Sequence, residues 1–111
     1  YTLMKLPEKS MKNTYKLIWS NEALVNLKSI IAYLEEHWTK KEIKRFARLL
    51  DKQLHLIEQN PFTFPKSDTW EEYRKSVLTK QITIYYKIVE YEVKIVSIFD
   101  NRQNPEKINK P

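Results

Sequence analysis

QITIYYKIVEYEVKIVSIFD, residues 81–100, holds two runs of β-branched and aromatic residues, interrupted once at Glu90-Tyr91-Glu92. Such runs suit a pleated surface with one dry face. In the first run Ile82, Ile84, Tyr86 and Ile88 fall on one side, and Thr83, Tyr85 and Lys87 on the other. The second run extends from Val93 to Phe99. A short link at Thr79-Lys80 connects both to a third strand-like stretch, Glu72 to Leu78. Three strands joined by two short links make an antiparallel meander.

Upstream the period changes. Asn60-Pro61 closes a long helical pattern whose apolar positions are Ile43, Phe46, Ala47, Leu50, Leu54 and Ile57. At 100° per residue these fall within an arc of about 100°, while Lys40, Lys41, Lys44, Arg45, Arg48 and Lys52 fill a separate arc of roughly 140°. Thr39-Lys40-Lys41-Glu42 has the form of a capping box, so this helix is expected to begin near Lys40. Before it, Ala23, Leu24, Leu27, Ile30, Ile31, Leu34 and Trp38 keep helical spacing behind an N-cap at Ser20. Thr14 to Trp19 reads as a short strand. The order β-α-α-β-β-β predicts an α+β domain, with an antiparallel helix pair on one face of the sheet. Residues 60–71 (NPFTFPKSDTWE) form the connecting loop, with Phe62, Phe64 and Trp70 expected to pin it to the body.

The 111 residues suit one domain. Residues 1–10, ahead of Met11, read as an extension, 11–105 as the domain and 106–111 as a tail. The chain has no glycine, which excludes the Rossmann fingerprint and the Walker phosphate loop. It has no cysteine either, which removes disulfides, thiolate zinc sites and thiol nucleophiles. Two histidines without neighbouring ligands leave no metal site in prospect, and no cofactor or small-molecule ligand is implied. No apolar run is long enough for a membrane span, so a cytoplasmic setting is expected. A net charge of +6 favours an anionic partner. Lacking glycine, the turns at Thr79-Lys80 and Glu90-Tyr91-Glu92 should be longer or type I-based, with any positive φ borne by another residue.

Two basic surfaces stand out. The cationic arc of the second helix suits phosphates, although a solvated helix face carries the same residues. The sheet offers Arg74, Lys75, Lys80, Tyr85 and Lys87, with Asp100 and Arg102 just beyond its last strand. A metal-independent ribonuclease needs a group to work on the 2′-hydroxyl, cations for the phosphate and an acid for the leaving oxygen. Arg74, Lys80, Tyr85 and Arg102 are the candidates for those roles. A plain solvated sheet face, with Arg74 paired structurally to Glu71, Glu72 or Asp100, is the alternative.

Nearly all of residues 14–105 resembles the RelE/ParE superfamily, the toxins of bacterial type II toxin–antitoxin systems. The residues that carry the likeness are Leu17-Ile18-Trp19-Ser20 leading into Ala23, Leu27, Ile30, Tyr33 and Leu34. Ala47, Leu50, Leu54 and Ile57 follow with the closing Asn60-Pro61, then Tyr73-Arg74-Lys75, the Ile82–Ile88 strand and Val93 to Phe99. Asp100-Asn101-Arg102-Gln103-Asn104-Pro105 is like the Arg-x-x-Pro endings of the ParE-like branch. The resemblance implies a cytoplasmic growth inhibitor encoded beside a neutralising antitoxin. RelE-like members cut messenger RNA in the ribosomal A site, and ParE-like members typically poison DNA gyrase. The cutting branch usually places an arginine on the middle meander strand and a His or Tyr after the last strand. Thr83 stands near the first place here, and Asp100 with Asn101 near the second, which favours the ParE-like branch. Target contacts are then expected at Arg74, Lys75, Arg102 and Asn104. Tyr33, Trp38, Phe62, Phe64 and Trp70 are expected to leave a groove for an amphipathic segment of an acidic antitoxin, or else to belong to the core.

Overall fold

The computed structural model describes residues 15–102. The expected extension at 1–10, the tail at 106–111 and Asn104 lie outside them. The elements are β1 (Lys16–Trp19), α1 (Asn21–His37), α2 (Lys40–Gln59), a short 3-10 turn (Pro61–Thr63), β2 (Arg74–Val77), β3 (Ile82–Val89) and β4 (Glu92–Asp100). This is the expected α+β order, with the helices packed against the sheet.

Local chemistry explains the helix bounds. Ser20 Oγ accepts from the Ala23 amide at 3.0 Å and so starts α1. At Thr39 the capping box closes in both directions, Glu42 N donating to Thr39 Oγ1 and Thr39 N to Glu42 Oε1. Asn60 ends α2 and at once caps the 3-10 turn, its Oδ1 accepting from Phe62 N at 3.2 Å.

The four strands lie in the order β1-β4-β3-β2. β2, β3 and β4 form the antiparallel meander, while β1 pairs parallel to β4 at the far edge. β1 stops opposite Ile95. Past that point α1 covers the open edge of β4. Ser20 Oγ donates to the Val96 carbonyl at 3.0 Å, and Asn26 Oδ1 accepts from Ile98 N and Ser97 Oγ. The core joins Leu27, Ile30 and Leu34 of α1 and Leu50, Leu54 and Ile57 of α2 to Ile84, Tyr86, Val93, Ile95 and Ile98 of the sheet.

Three details depart from the sequence expectation. A bulge sits on β4, where Ile95 pairs with Tyr86 but Ser97 with Tyr85. The extra residue resets the alternation, so Ile95 and Ile98 both face the helices. The β3–β4 link is only two residues, Glu90 and Tyr91, with the positive φ (56°) on Glu90. A longer turn does form between β2 and β3, where Thr79 Oγ1 accepts from the amides of Gln81 and Ile82. Phe62 is 55% exposed and pins nothing to the core, whereas Phe64 packs against it as expected and hydrogen bonds add to its hold on the loop.

Candidate functional site

Period-two alternation divides the predicted cations. Lys75 lies opposite Tyr85, and Arg74 opposite Tyr86. Neighbours along a strand point to opposite faces, so Lys75 and Tyr85 share the outer face while Arg74 points to the side that carries the helices. The set Arg74, Lys80, Tyr85 and Arg102 is therefore not brought together. Lys80 stands exposed in the β2–β3 turn, which leaves it on the rim.

Arg74 serves the loop that follows α2. Its Nη1 donates to the Phe64 carbonyl at 2.6 Å, and its guanidinium lies 5.2 Å from the centre of the Phe62 ring. Beside it the Tyr86 hydroxyl donates to the Pro61 carbonyl at 2.6 Å. Lys75 N donates to the Pro65 carbonyl and Ser67 N to the Tyr73 carbonyl, so the loop also covers the free edge of β2. Burial pushes the Tyr86 phenol up to about 12, although Arg74 pulls the other way. The structural alternative pairs Arg74 with Glu71, Glu72 or Asp100; the hydrogen bond seen runs to the Phe64 carbonyl.

Arg102 is engaged just as closely. Its Nε and Nη2 each reach a different oxygen of Asp100 at 3.0 Å, a two-toothed pairing that Arg geometry favours. The Asp100 side chain is 2% exposed and that of Arg102 21%. The guanidinium also lies 5.0 Å from the Tyr33 ring centre and 5.5 Å from that of Trp38. His37 stacks on Tyr33 at 4.2 Å, and its Nδ1–H donates to the Tyr33 carbonyl. This cluster ties the end of β4 to the C-terminus of α1.

On the outer face Trp70 meets Tyr85 edge-on at 5.4 Å and Tyr73 at 6.3 Å. Burial raises the Tyr85 phenol above its ordinary value, so it stays protonated at neutral pH. In that state it is a poor acceptor for the 2′-hydroxyl proton, though it can still donate to a leaving oxygen.

The five aromatics expected to line one groove occupy three places: Tyr33 and Trp38 around Arg102, Phe62 and Phe64 around Arg74, and Trp70 over Tyr85. A patch absent from the sequence reading forms instead at one end of the molecule. Tyr15 contacts Phe62 at 6.3 Å and Tyr91 at 6.4 Å, and Tyr91 is 81% exposed. Its members come from the lead into β1, the 3-10 turn and the β3–β4 tip. Only their shared aromatic character hinted at it.

Among the described residues no group of three or more acidic, His or Cys side chains is placed to hold a metal ion. No helix among the described residues is long and apolar enough to cross a membrane.

Residues 17–105 match the family described as the ParE toxin of type II toxin–antitoxin systems. No curated protein matches the chain. Among solved structures, the chain is similar to one of a chromosomal ParDE system from P. aeruginosa, with a TM-score of 0.68 at 13% identity, over 80% of this chain and 98% of that one. It is also similar to a YoeB/ParE toxin from Agrobacterium tumefaciens, with a TM-score of 0.54 at 12% identity, over 77% and 96% of the two chains. A YoeB dimer from Staphylococcus aureus gives 0.53 at 15% identity, over 78% and 95%. At such identities the likeness is one of fold.

Proposed function

The chain belongs to the ParE toxin family of type II toxin–antitoxin systems, and on that premise we propose that it arrests growth in the cytoplasm by binding an essential protein, DNA gyrase in the manner of ParE-like relatives. A cognate acidic antitoxin holds it inactive. The observation that carries this reading is the dispersal of the nuclease candidates. Arg74 and Tyr85 lie on opposite faces of the sheet, and Arg102 is closed on Asp100. Phosphodiester cleavage needs a proton acceptor and phosphate cations converging on one bond, and these residues do not converge.

Protein binding asks less of the same residues. Lys75 on the outer face, the part of Arg102 that its pairing with Asp100 leaves exposed, and Asn104 beyond the described residues are the proposed target contacts. Arg74 acts behind them, holding the loop in place. For the antitoxin, the five aromatics contribute unequally. Tyr33, Trp38, Phe64 and Trp70 shape half-buried edges, while Phe62, with Tyr15 and Tyr91, offers an exposed aromatic anchor of the kind that dominates interfaces. The net charge of +6 draws an acidic partner to it.

The test is a supercoiling assay with purified gyrase and relaxed plasmid. Adding the chain is expected to inhibit supercoiling and accumulate cleaved DNA, and adding the antitoxin to restore activity. Normal supercoiling together with cleavage of ribosome-bound message would overturn the reading.

A further inference from the structure

Helix α2 carries a surface for which neither the fold nor the gyrase reading has a use. Lys40, Lys41, Lys44, Arg45, Arg48 and Lys52 are all exposed. They turn away from the buried stripe Phe46, Leu50, Leu54 and Ile57. Lys40, Lys44, Arg48 and Lys52 succeed one another at four-residue steps, a file about 18 Å long at helical rise, with Lys41 and Arg45 alongside. None of the six joins an ion pair among the described residues.

Helix stability asks for a different arrangement. Like charges four residues apart repel one another. Cations near a helix N-terminus oppose its dipole, and Lys40, Lys41 and Lys44 all sit there. Glu42 is the sole acidic residue of the first turn, and the last turn, where cations would help, has none. A helix that only needed solvation would interleave acids with these bases, whereas Asp51 is the one exposed acid on the arc and it joins no ion pair among the described residues. A regular row of unpaired positive charge instead complements a regular row of negative charge.

We propose that this face of α2 docks on the phosphate backbone of duplex DNA. A helix with its side chains is about 10–12 Å across and the B-form major groove about 12 Å wide. The basic arc of roughly 140° lets the two files reach both walls of such a groove. The major groove of A-form RNA is too narrow to admit them. The one ring on the arc is His55, held 3.6 Å from Glu58, and the one amide is Gln59, seven residues beyond Lys52, so stacking and base-edge contacts are few and the docking is independent of sequence.

The test titrates the full chain into a labelled duplex of about 20 base pairs and follows anisotropy between about 50 and about 200 mM salt. Binding is expected, with a log–log salt slope of about −5 for six phosphate contacts. The triple variant Lys44→Gln, Arg48→Gln, Lys52→Gln should flatten that slope by about 3 and weaken binding about a hundredfold or more at low salt. Lys44→Gln alone should flatten it by about 1. Removing the same charge elsewhere, by Lys16→Gln, Lys87→Gln and Lys94→Gln, should leave the slope within about 0.5 of the unsubstituted value. Thermal melting separates charge from folding, since the α2 variants lose repulsion and should melt no lower. Failure to bind the duplex overturns the proposal. So does an equal loss in the control variant, or tighter binding of duplex RNA or of a polyglutamate peptide.

Discussion

Arg102 and Asp100 stand two residues apart in the chain, yet together they anchor the end of the last strand. Asp100 is buried and its charge is met by the fork of Arg102. Removing one partner leaves the other charge stranded. Arg102→Ala is therefore expected to lower unfolding free energy by about 2–3 kcal/mol in urea titrations. A loss below about 0.5 kcal/mol would mean the pair is spectator geometry. Glu58 is a buried acid of the opposite kind. Burial raises its carboxyl above the usual range, with the His55 contact at 3.6 Å only partly offsetting this. The folded state then holds the proton more tightly than the unfolded one, so this group's contribution falls as pH rises through the raised value. Glu58→Gln should accordingly melt higher than the parent at pH 7. The difference should shrink toward zero as pH falls below the ordinary 4.5. A gain of the same size at both pH values would contradict this cause. At this scale the sequence was half legible. Neighbours in a strand such as Arg74 and Lys75 must part to opposite faces, but only the cross-strand register shows which of them joins Tyr85.

Both helices follow from apolar spacing and caps, because those signals are local: Ser20, Thr39 with Glu42, and Asn60 with Pro61 each act within a few residues. The sheet is less readable. The β4 bulge depends on which residues of β3 it meets, and the parallel seat of β1 on a pairing far along the chain. The glycine-free composition finds its outlet at the β3–β4 tip, where Glu90 takes φ 56°. A side chain in that region costs about 1–2 kcal/mol, and glycine's extra unfolded freedom returns about half of it. Glu90→Gly is thus expected to stabilise the protein by about 0.5–1 kcal/mol. Measured destabilisation would show that the Glu90 side chain makes a contribution outweighing its backbone strain.

For the whole molecule, fold and family were open to a reading of order and spacing, since they rest on patterns spread along most of the chain. The aromatic patch was not, because Tyr15, Phe62 and Tyr91 meet only once the sheet and the 3-10 turn have formed. The dispersal of the nuclease candidates was hidden for the same reason, and it is the observation on which the proposal of a protein target rests. Pulse labelling after the chain is expressed alone tests this most directly. Thymidine incorporation is expected to fall first, with messages intact and methionine incorporation declining only later. An early fall in methionine incorporation, with messages cut on the ribosome, would contradict it.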